Sequence, residues 1–384
     1  MSKRTIATLL LLHLLPVATA AQVQTPAPIA APVPAPPPAH APGIAGVVAA
    51  GTPVELMASG FQASESAIGA PDGSLLFTDR STNRVMRLAG TAVSVYLENA
   101  NAPNGLAFDS AGRLIAVQRT QVQIGVLLPT PRVLANAFNG KPIVTPNDLV
   151  VDTKGGVYFT EFGNATVKTC VYYIRPDGTV IKVADDIERP NGVQLSRDAK
   201  TLYVANTNGE FILAYDVRDD GTIGNRRNFG QLEGVRKTDT GVQSGADGLA
   251  IDAEGRVYVT TLAGIQVFSE SGQRLGTIPL PVQAQSVAFP GPTSRPCLPW
   301  AAVTSTGSQC SPRDLRAGRS SLVSNQRKDR SHDASMDWTA LCCCPAGADH
   351  RTDARRHPLD HPGRLKPARR GGCVHLQGGS PHHG

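Results

Sequence analysis

The chain has 384 residues, with 37 Lys and Arg against 31 Asp and Glu and a formal net charge of +6. This charge is unevenly distributed, because residues 293–384 contain 14 Lys and Arg against seven Asp, which leaves residues 1–292 at about −1. The basic balance belongs to the C-terminal tail. The charge of residues 1–292 therefore gives no reason to expect that the body of the chain binds nucleic acid or a membrane surface.

The N-terminus predicts export. Residues 1–21, "MSKRTIATLLLLHLLPVATAA", combine a basic start, a Leu-rich apolar run and a small-residue exit, which is typical of a secretory signal peptide. The apolar run is too short for a stable anchor, and no other segment is long and apolar enough to cross a bilayer. We therefore expect a periplasmic or secreted protein with no membrane partner. Residues 22–43 are rich in Pro and Ala and predict an extended linker.

The body of the chain, residues 44–292, repeats a unit of one polar residue, a short apolar strand, an Asp or Gly turn and a second apolar strand. The clearest copies are "APNGLAFDSAGRLIAV" from Ala102, "TPNDLVVDTKGGVYFT" from Thr145, "RPNGVQLSRDAKTLYVA" from Arg189 and "GADGLAIDAEGRVYVT" from Gly245. With a weaker copy from Ser64, the polar residues are Glu65, Asn104, Asn147, Asn191 and Asp247, separated by 39, 43, 44 and 56 positions. This period, the density of short strands and the lack of sustained helical periodicity predict an all-β propeller.

Equivalent positions of propeller blades are related by rotation about one axis, so these five polar residues should converge at one end of the central channel. Their carboxylate and amide oxygens suit Ca²⁺, Mg²⁺ or Mn²⁺ better than a structural zinc. A cation held there would polarise a carbonyl, and Asp247 or Asp148 could act as the general base. The simpler alternative is that the five residues cap turns and bond only to the backbone.

Residues from about 54 to 292 resemble the SMP-30/gluconolactonase/regucalcin family, which are six-bladed propellers with a divalent cation in the channel. The matching segments are "FQASESAIGAPDGSLLFTD" (61–79), "TPNDLVVDTKGGVYFTE" (145–161), "ERPNGVQLSRDAKTLYVANT" (188–207) and "SGADGLAIDAEGRVYVT" (244–260). The order and spacing of the four together carry the resemblance. It implies metal-dependent hydrolysis of a sugar lactone or similar ester, with a small-molecule partner, and we expect a monomer that binds no nucleic acid.

The resemblance also implies roles for the polar residues. Glu65, Asn191 and Asp247 would be metal ligands, and Asn147 would reach the metal or a substrate hydroxyl. Asp247 would also activate the attacking water as the general base, while Asn104 could line the substrate pocket. Ca²⁺ is the expected cation, with Zn²⁺, Mg²⁺ and Mn²⁺ as alternatives.

Other features bear on whether the chain is an enzyme. The family follows its first glutamate with Gly-Pro, whereas Glu65 is followed by Ser66-Ala67. The body has no G-x-S-x-G motif and no His, since His40 lies in the linker, so catalysis would depend on the metal. Arg119 stands at a strand end that could face a substrate, although an exposed strand end is the simpler interpretation. The alternative functions are a non-catalytic ligand-binding propeller and an inactive, degenerate member of the family.

The repeat ends abruptly near residue 292. "AQSVAFPGP" (284–292) predicts the first strand of a sixth blade, but the sequence that follows is rich in Arg, Pro, His and Cys, and six of the seven cysteines lie in 293–384. We interpret residues 293–384 as a disordered or frameshifted tail, which would leave the sixth blade incomplete. A metal-binding appendage is an alternative, although the cysteine spacing matches no paired CxxC site. The N-terminal strand, "TPVELMA" (52–58), would complete the last blade.

Overall fold

The structure is a computed structural model that describes residues 39–61, 63–239, 241–291, 300–306 and 337–343, the last two ranges as backbone strands. Every regular element in these ranges is a β-strand, and none of them forms a helix that could span a membrane. The predicted signal peptide (1–21), nearly all of the predicted linker (22–43) and most of the predicted tail (293–384) lie outside the described residues. Those three assignments stay predictions.

Five four-stranded antiparallel sheets form the blades of a propeller, which confirms the all-β propeller predicted from the repeat. The chain enters through strand β1 (Val54–Phe61), which belongs to the last sheet. The first blade contains β2 (Ser64–Gly69), β3 (Leu75–Asp79), β4 (Arg84–Ala89) and β5 (Ala92–Leu97). The second contains β6 (Pro103–Phe108), β7 (Leu114–Gln118), β8 (Gln123–Leu128) and β9 (Arg132–Ala135). In every blade the strands pair in chain order, so each blade is one unit of the repeat.

A short hairpin of β10 (Ala137–Phe138) and β11 (Lys141–Pro142) precedes the third blade. The third blade contains β12 (Pro146–Val151), β13 (Val157–Glu161), β14 (Cys170–Ile174) and β15 (Val180–Ala184). The fourth contains β16 (Pro190–Leu195), β17 (Thr201–Asn206), β18 (Phe211–Val217) and β19 (Ile223–Gln231). A second hairpin, β20 (Arg236–Thr238) and β21 (Gly241–Gln243), leads to the fifth blade, whose strands are β22 (Leu249–Ile251), β23 (Val257–Thr261), β24 (Gly264–Phe268) and β25 (Arg274–Ile278).

The last sheet combines the N-terminal strand β1 with the three C-terminal strands. Its members are β26 (Ala284–Ala288), β27 (Trp300–Thr306) and β28 (Asp337–Cys343), and its strand order is β1-β28-β27-β26. The expected N-terminal closing strand is therefore present as β1, with Val54 opposite Cys343. Strands β27 and β28 come from the atypical tail and occupy the two places that the sequence analysis left empty. The count of six blades stays a prediction.

The hydrophobic core lies between neighbouring blades. One buried cluster joins Ile115 and Ile124 of the second blade to Leu149 and Phe159 of the third, and comparable clusters fill the other gaps between successive sheets. The outermost strands are more exposed, as in β5, whose residues are all exposed or half-buried. This arrangement explains the sequence pattern: the inner strands read as continuous apolar runs because both of their faces are covered.

The Asp that recurs after the first strand of a unit forms a turn with its own backbone. Asp109 Oδ1 accepts hydrogen bonds from the backbone N–H of Ala111 and Arg113 at 3.0 and 2.8 Å. Asp152 and Asp252 make the equivalent pairs of bonds in the third and fifth blades. A carboxylate that bonds its own chain two and four residues ahead stabilises the tight reversal between two strands. This part of the repeat is therefore structural.

Candidate active site

The five polar residues singled out by the repeat gather at one end of the channel. Four of them occupy the second position of an innermost strand, in β2, β6, β12 and β16, and the fifth lies two residues before β22. A cavity of about 630 Å³ opens there. The residues of this set that line it are Glu65, Asn147, Asn191 and Asp247. Asn104 lines a smaller, adjoining void, which it shares with Glu65, Asn147 and Asp247.

The three asparagines form a chain of side-chain hydrogen bonds. Asn104 Nδ2 donates to the backbone oxygen and to Oδ1 of Asn147, both at 2.9 Å. Asn147 Nδ2 donates to Asn191 Oδ1, and Asn191 Nδ2 donates to Thr207 Oγ1 at 3.1 Å. Asn104 Oδ1 is buried and has no hydrogen-bond partner among the described residues. The chain fixes the orientation of the amides and leaves one buried acceptor oxygen unsatisfied.

The two carboxylates that face the cavity lie in an environment that resists their ionisation. Burial raises the pKa of Glu65, although the positive charges of Arg80 and Arg119 act in the opposite direction. Burial also raises the pKa of Asp247 well above its ordinary value, and the negative charges of Glu65 and Asp148 raise it further. Like charges held close together in a buried site favour either a proton or a bound cation.

Asp148, the other candidate general base, lines the smaller void and not the larger cavity. Its carboxylate borders the small void, where Val193 N–H donates to Oδ2 at 3.2 Å. Burial raises the pKa of Asp148 to about 7, an increase that the hydrogen bonds from Val193 and Leu149 partly oppose. Asp247 borders both spaces. Of the two carboxylates, Asp247 is the one that a molecule in the larger cavity would meet.

Threonines of the second strands hold these residues in place across the gaps between blades. Thr78 Oγ1 donates to the backbone oxygen of Asn104 at 3.2 Å, and Thr160 Oγ1 donates to that of Asn191 at 2.7 Å. In the fifth blade Thr260 Oγ1 donates to the backbone oxygen of Gln285 at 3.3 Å. Each bond ties the start of one innermost strand to the neighbouring sheet, so the position of a site residue depends on two blades.

Several residues of the cavity wall were not selected in the sequence analysis. Gln285, the second residue of β26, stands in the same register as the five polar residues and lines both spaces. The quoted segment "AQSVAFPGP" contained this signal. Arg80 and Arg119 follow the second strands of the first two blades and also line the cavity. The prediction of a plain exposed strand end for Arg119 is wrong, because this half-buried side chain faces the channel mouth.

The donor set fits a hard divalent cation. Within the described residues no group of three or more His, Cys, Asp or Glu side chains is arranged to hold a metal. The site instead combines two carboxylates with asparagine amides, and hard cations accept this mixture of oxygen ligands. The unsatisfied Oδ1 of Asn104 and the raised pKa values of Glu65 and Asp247 fit an oxygen site that a divalent cation would stabilise. Among the described residues, no Cys or His lines either space.

Comparison with known proteins identifies the family. The chain is 28% identical over 260 residues to a gluconolactonase from Zymomonas mobilis, an alignment that covers 59% of this chain and 72% of the relative. It is 30% identical over 236 residues to regucalcin from Xenopus laevis, covering 58% of this chain and 76% of the relative. The fold matches that of a calcium-binding regucalcin from Agrobacterium tumefaciens with a TM-score of 0.55 and 16% identity, over 76% of this chain and 95% of that chain. Residues 63–296 match the model of the SMP-30/Gluconolactonase/LRE-like region, and the chain belongs to this family.

Proposed function

We propose that the protein is a divalent-cation-dependent hydrolase of a sugar lactone. The observation that carries this proposal is the convergence of Glu65, Asn147, Asn191 and Asp247 on one cavity in a chain of the gluconolactonase family. The named relatives, a gluconolactonase and a regucalcin, support the reaction class. We take Glu65, Asn191 and Asp247 as the cation ligands and Ca²⁺ as the expected ion. Asn147 lines the same cavity, where it can bind the ion or a substrate hydroxyl.

The chemistry follows from the side chains at the cavity. A bound cation would supply electrostatic stabilisation to the carbonyl oxygen of the lactone. Asp247 accepts a proton from water as the water oxygen bonds to the carbonyl carbon. It then donates this proton to the ring oxygen as the carbon–oxygen bond of the ring breaks. The raised pKa of Asp247 favours the first transfer, because a more basic carboxylate accepts a proton from water more readily.

The first test combines turnover with cation binding. Proton release from gluconolactone above the spontaneous rate should require Ca²⁺ and disappear in excess EDTA. Asp247→Asn and Glu65→Gln should each lower kcat/KM by about 100-fold or more, the effect expected from loss of a general base or of a metal ligand. Calorimetric Ca²⁺ titration should show weaker binding in both variants. Asp219→Asn, which makes the same change at a fully exposed carboxylate, is the matched control. Turnover that survives both EDTA and Asp247→Asn would refute the proposal.

A second candidate is a binding propeller without turnover. The observation that favours it is the ion pair between Arg80 and Glu65, at 3.6 Å, since it gives this carboxylate a protein partner in place of a cation. A protein of this kind would bind a sugar at the cavity with the same affinity in Ca²⁺ and in EDTA. Calorimetric titration with a sugar, in Ca²⁺ and in EDTA, therefore separates the two candidates even when no substrate is turned over.

We also propose features of the chain as a whole. The last sheet, β1-β28-β27-β26, has the strand number of a blade and closes the ring with its N-terminal strand. We therefore infer six blades in total. We further propose that the protein is exported through residues 1–21, acts as a monomer on a small molecule, and binds neither nucleic acid nor a membrane.

A further inference from the structure

The cavity wall contains an unusual concentration of positive charge. Arg80, Arg119 and Arg189 line it, against the two carboxylates Glu65 and Asp247. Three guanidinium groups against two carboxylates leave a net charge of +1, and a bound divalent cation would raise this to +3. A neutral sugar requires no such excess, whereas an anionic ligand would balance it.

Two of these arginines lie side by side with most of their donors unused. They occupy the same place in neighbouring units, since Arg80 directly follows β3 and Arg119 directly follows β7. Arg80 Nη2 lies 3.6 Å from Glu65 Oε1, and its Nε–H is buried without an acceptor among the described residues. Arg119 makes one long hydrogen bond, from Nη1 to the backbone oxygen of Pro146 at 3.4 Å. Among the described residues, the two guanidinium groups therefore have one ion pair and one long hydrogen bond, against ten N–H donors.

The electrostatic environment of Arg119 also favours an anionic ligand. Burial lowers the pKa of Arg119, and the positive charge of Arg80 lowers it further, while Glu65 and Glu161 act in the opposite direction. Two partly desolvated cations that repel each other would gain from an anion placed between them. Arg189 differs, because its guanidinium stacks 4.2 Å above the ring of Phe162 and already has a partner.

We propose that the lactone bound by this site carries an anionic group, a carboxylate or a phosphate, which Arg80 and Arg119 hold while the lactone carbonyl faces Asp247. This inference rests on the proposed lactonase function and adds the substrate class. The fork of donors on each guanidinium suits both anions, because it matches the spacing of their oxygens. A neutral lactone would leave these donors without acceptors.

The test compares one neutral and two anionic lactones. We expect kcat/KM in Ca²⁺ to be higher for 6-phosphogluconolactone or for glucarolactone than for gluconolactone, and the better of the two identifies phosphate or carboxylate as the recognised group. Arg119→Gln should lower the ratio of anionic to neutral kcat/KM by about tenfold or more, the effect of one charged hydrogen-bonded pair. Arg132→Gln, an exposed arginine of β9 in the same blade, is the matched control. Thermal unfolding of each variant identifies any loss of fold.

Two outcomes would overturn the inference. One is a wild-type kcat/KM for gluconolactone at least equal to that of both anionic lactones. The other is an Arg119→Gln variant that slows neutral and anionic lactones equally, since the arginines would then serve a group common to all of them. If no lactone is hydrolysed, the proposed function fails, and the inference is tested by binding alone. Calorimetry should then show glucose 6-phosphate or glucuronate binding more tightly than glucose, and equal binding would overturn it.

Discussion

The residues that directly follow the five polar residues and Gln285 form a ring, and all of them are small except Asp148. The other members of this ring are Ser66, Gly105, Gly192, Gly248 and Ser286. Where the ring residue has a side-chain oxygen, that oxygen accepts a backbone N–H from the next sheet. The three bonds are Leu106 N to Ser66 Oγ at 3.1 Å, Val193 N to Asp148 Oδ2 at 3.2 Å and Ala67 N to Ser286 Oγ at 3.1 Å. Asp148 therefore bridges two blades as a serine does, with the addition of a charge.

This buried charge makes the stability of the cation-free protein depend on pH. Asp148 has a pKa of about 7 in the folded state against 3.8 for an ordinary Asp, so the folded state holds more protons between these two values. The free energy of unfolding should therefore fall as the pH rises through this window, by at most about 1.4 kcal/mol per pH unit for this group. In EDTA, we expect the melting temperature to decrease from pH 5.5 to pH 8.

Asp148→Asn is the variant that isolates the effect. It removes the charge and keeps an oxygen for the Val193 N–H, so the bridge between blades is conserved. We expect a smaller dependence of the melting temperature on pH than in the parent protein. The residual dependence would come from Glu65 and Asp247, whose pKa values are also raised. A parent protein whose stability rises with pH over this range would contradict the assignment.

At the scale of single residues, the sequence predicted which side chains meet but not which of them face the cavity. The common register of Asn147, Asn191 and Asp247 was enough to predict their convergence, because rotation about the propeller axis superposes equivalent positions. Asn104 has the same register as the other four but lines only the smaller void, and no local pattern indicates this difference. Asp148 differs from Asp247 in register, because it follows the polar residue of its unit, and it lines only the smaller void.

At the scale of the strand, glycine after the polar residue permits the close approach of neighbouring blades. A Cβ on Gly192 would lie well inside van der Waals contact with the backbone oxygen of Asp247, and one on Gly105 would lie 2.8 Å from the Cα of Asp148. Both contacts are with the backbone of the adjacent sheet, which cannot move away without shifting a site residue. The "PNG" and "ADG" segments are thus a packing requirement as well as turn signals.

Gly192→Ala should therefore damage the site as well as the fold. We expect the free energy of unfolding to decrease by about 1–3 kcal/mol, the usual range for overpacking. Ca²⁺ should bind more weakly, because the backbone of Asp247 must shift to make room for the methyl group. Calorimetric titration and thermal unfolding measure the two effects.

Gly155→Ala is the matched control for this change. Gly155 lies in the turn between β12 and β13 with a φ of +86°, and a Cβ there would meet nothing within 4 Å. The left-handed conformation should lower the stability of this variant by about 1–2 kcal/mol, with no effect on Ca²⁺ affinity. Equal Ca²⁺ affinities in the two variants would show that the approach of the two strands does not position Asp247.

At the scale of the whole molecule, the last sheet contains strands that the repeat does not predict. The first five sheets follow from apolar alternation and from Asp and Gly turns, as expected. The last sheet instead pairs β1 with β28, and the paired residues Val54 and Cys343 are 289 positions apart in sequence. Neither β27 nor β28 follows the polar-strand-turn pattern, so a search for the repeat could not find them. Without them β1 and β26 would each present an unpaired edge.

Two deletions distinguish a native tail from a frameshifted one. The chain divides by its internal contacts after Ala346, and every described strand lies in the first part. Removing residues 347–384 retains β27 and β28, whereas removing residues 293–384 deletes both. If these strands belong to the native ring, the longer deletion should lower the melting temperature and expose edges that promote aggregation. The shorter deletion should leave the melting temperature equal to that of the full chain.

The opposite result would support the frameshift hypothesis. Chains that end at residue 292, at residue 346 and at residue 384 would then melt at the same temperature, because β27 and β28 would add nothing to closure. A continuation of the repeat in another reading frame after codon 292 should in that case supply strands with the expected "polar residue, strand, turn, strand" pattern. Fusing that continuation to residues 1–292 should raise the melting temperature above that of the present chain, because it would pair the edges of β1 and β26 with strands that fit the repeat.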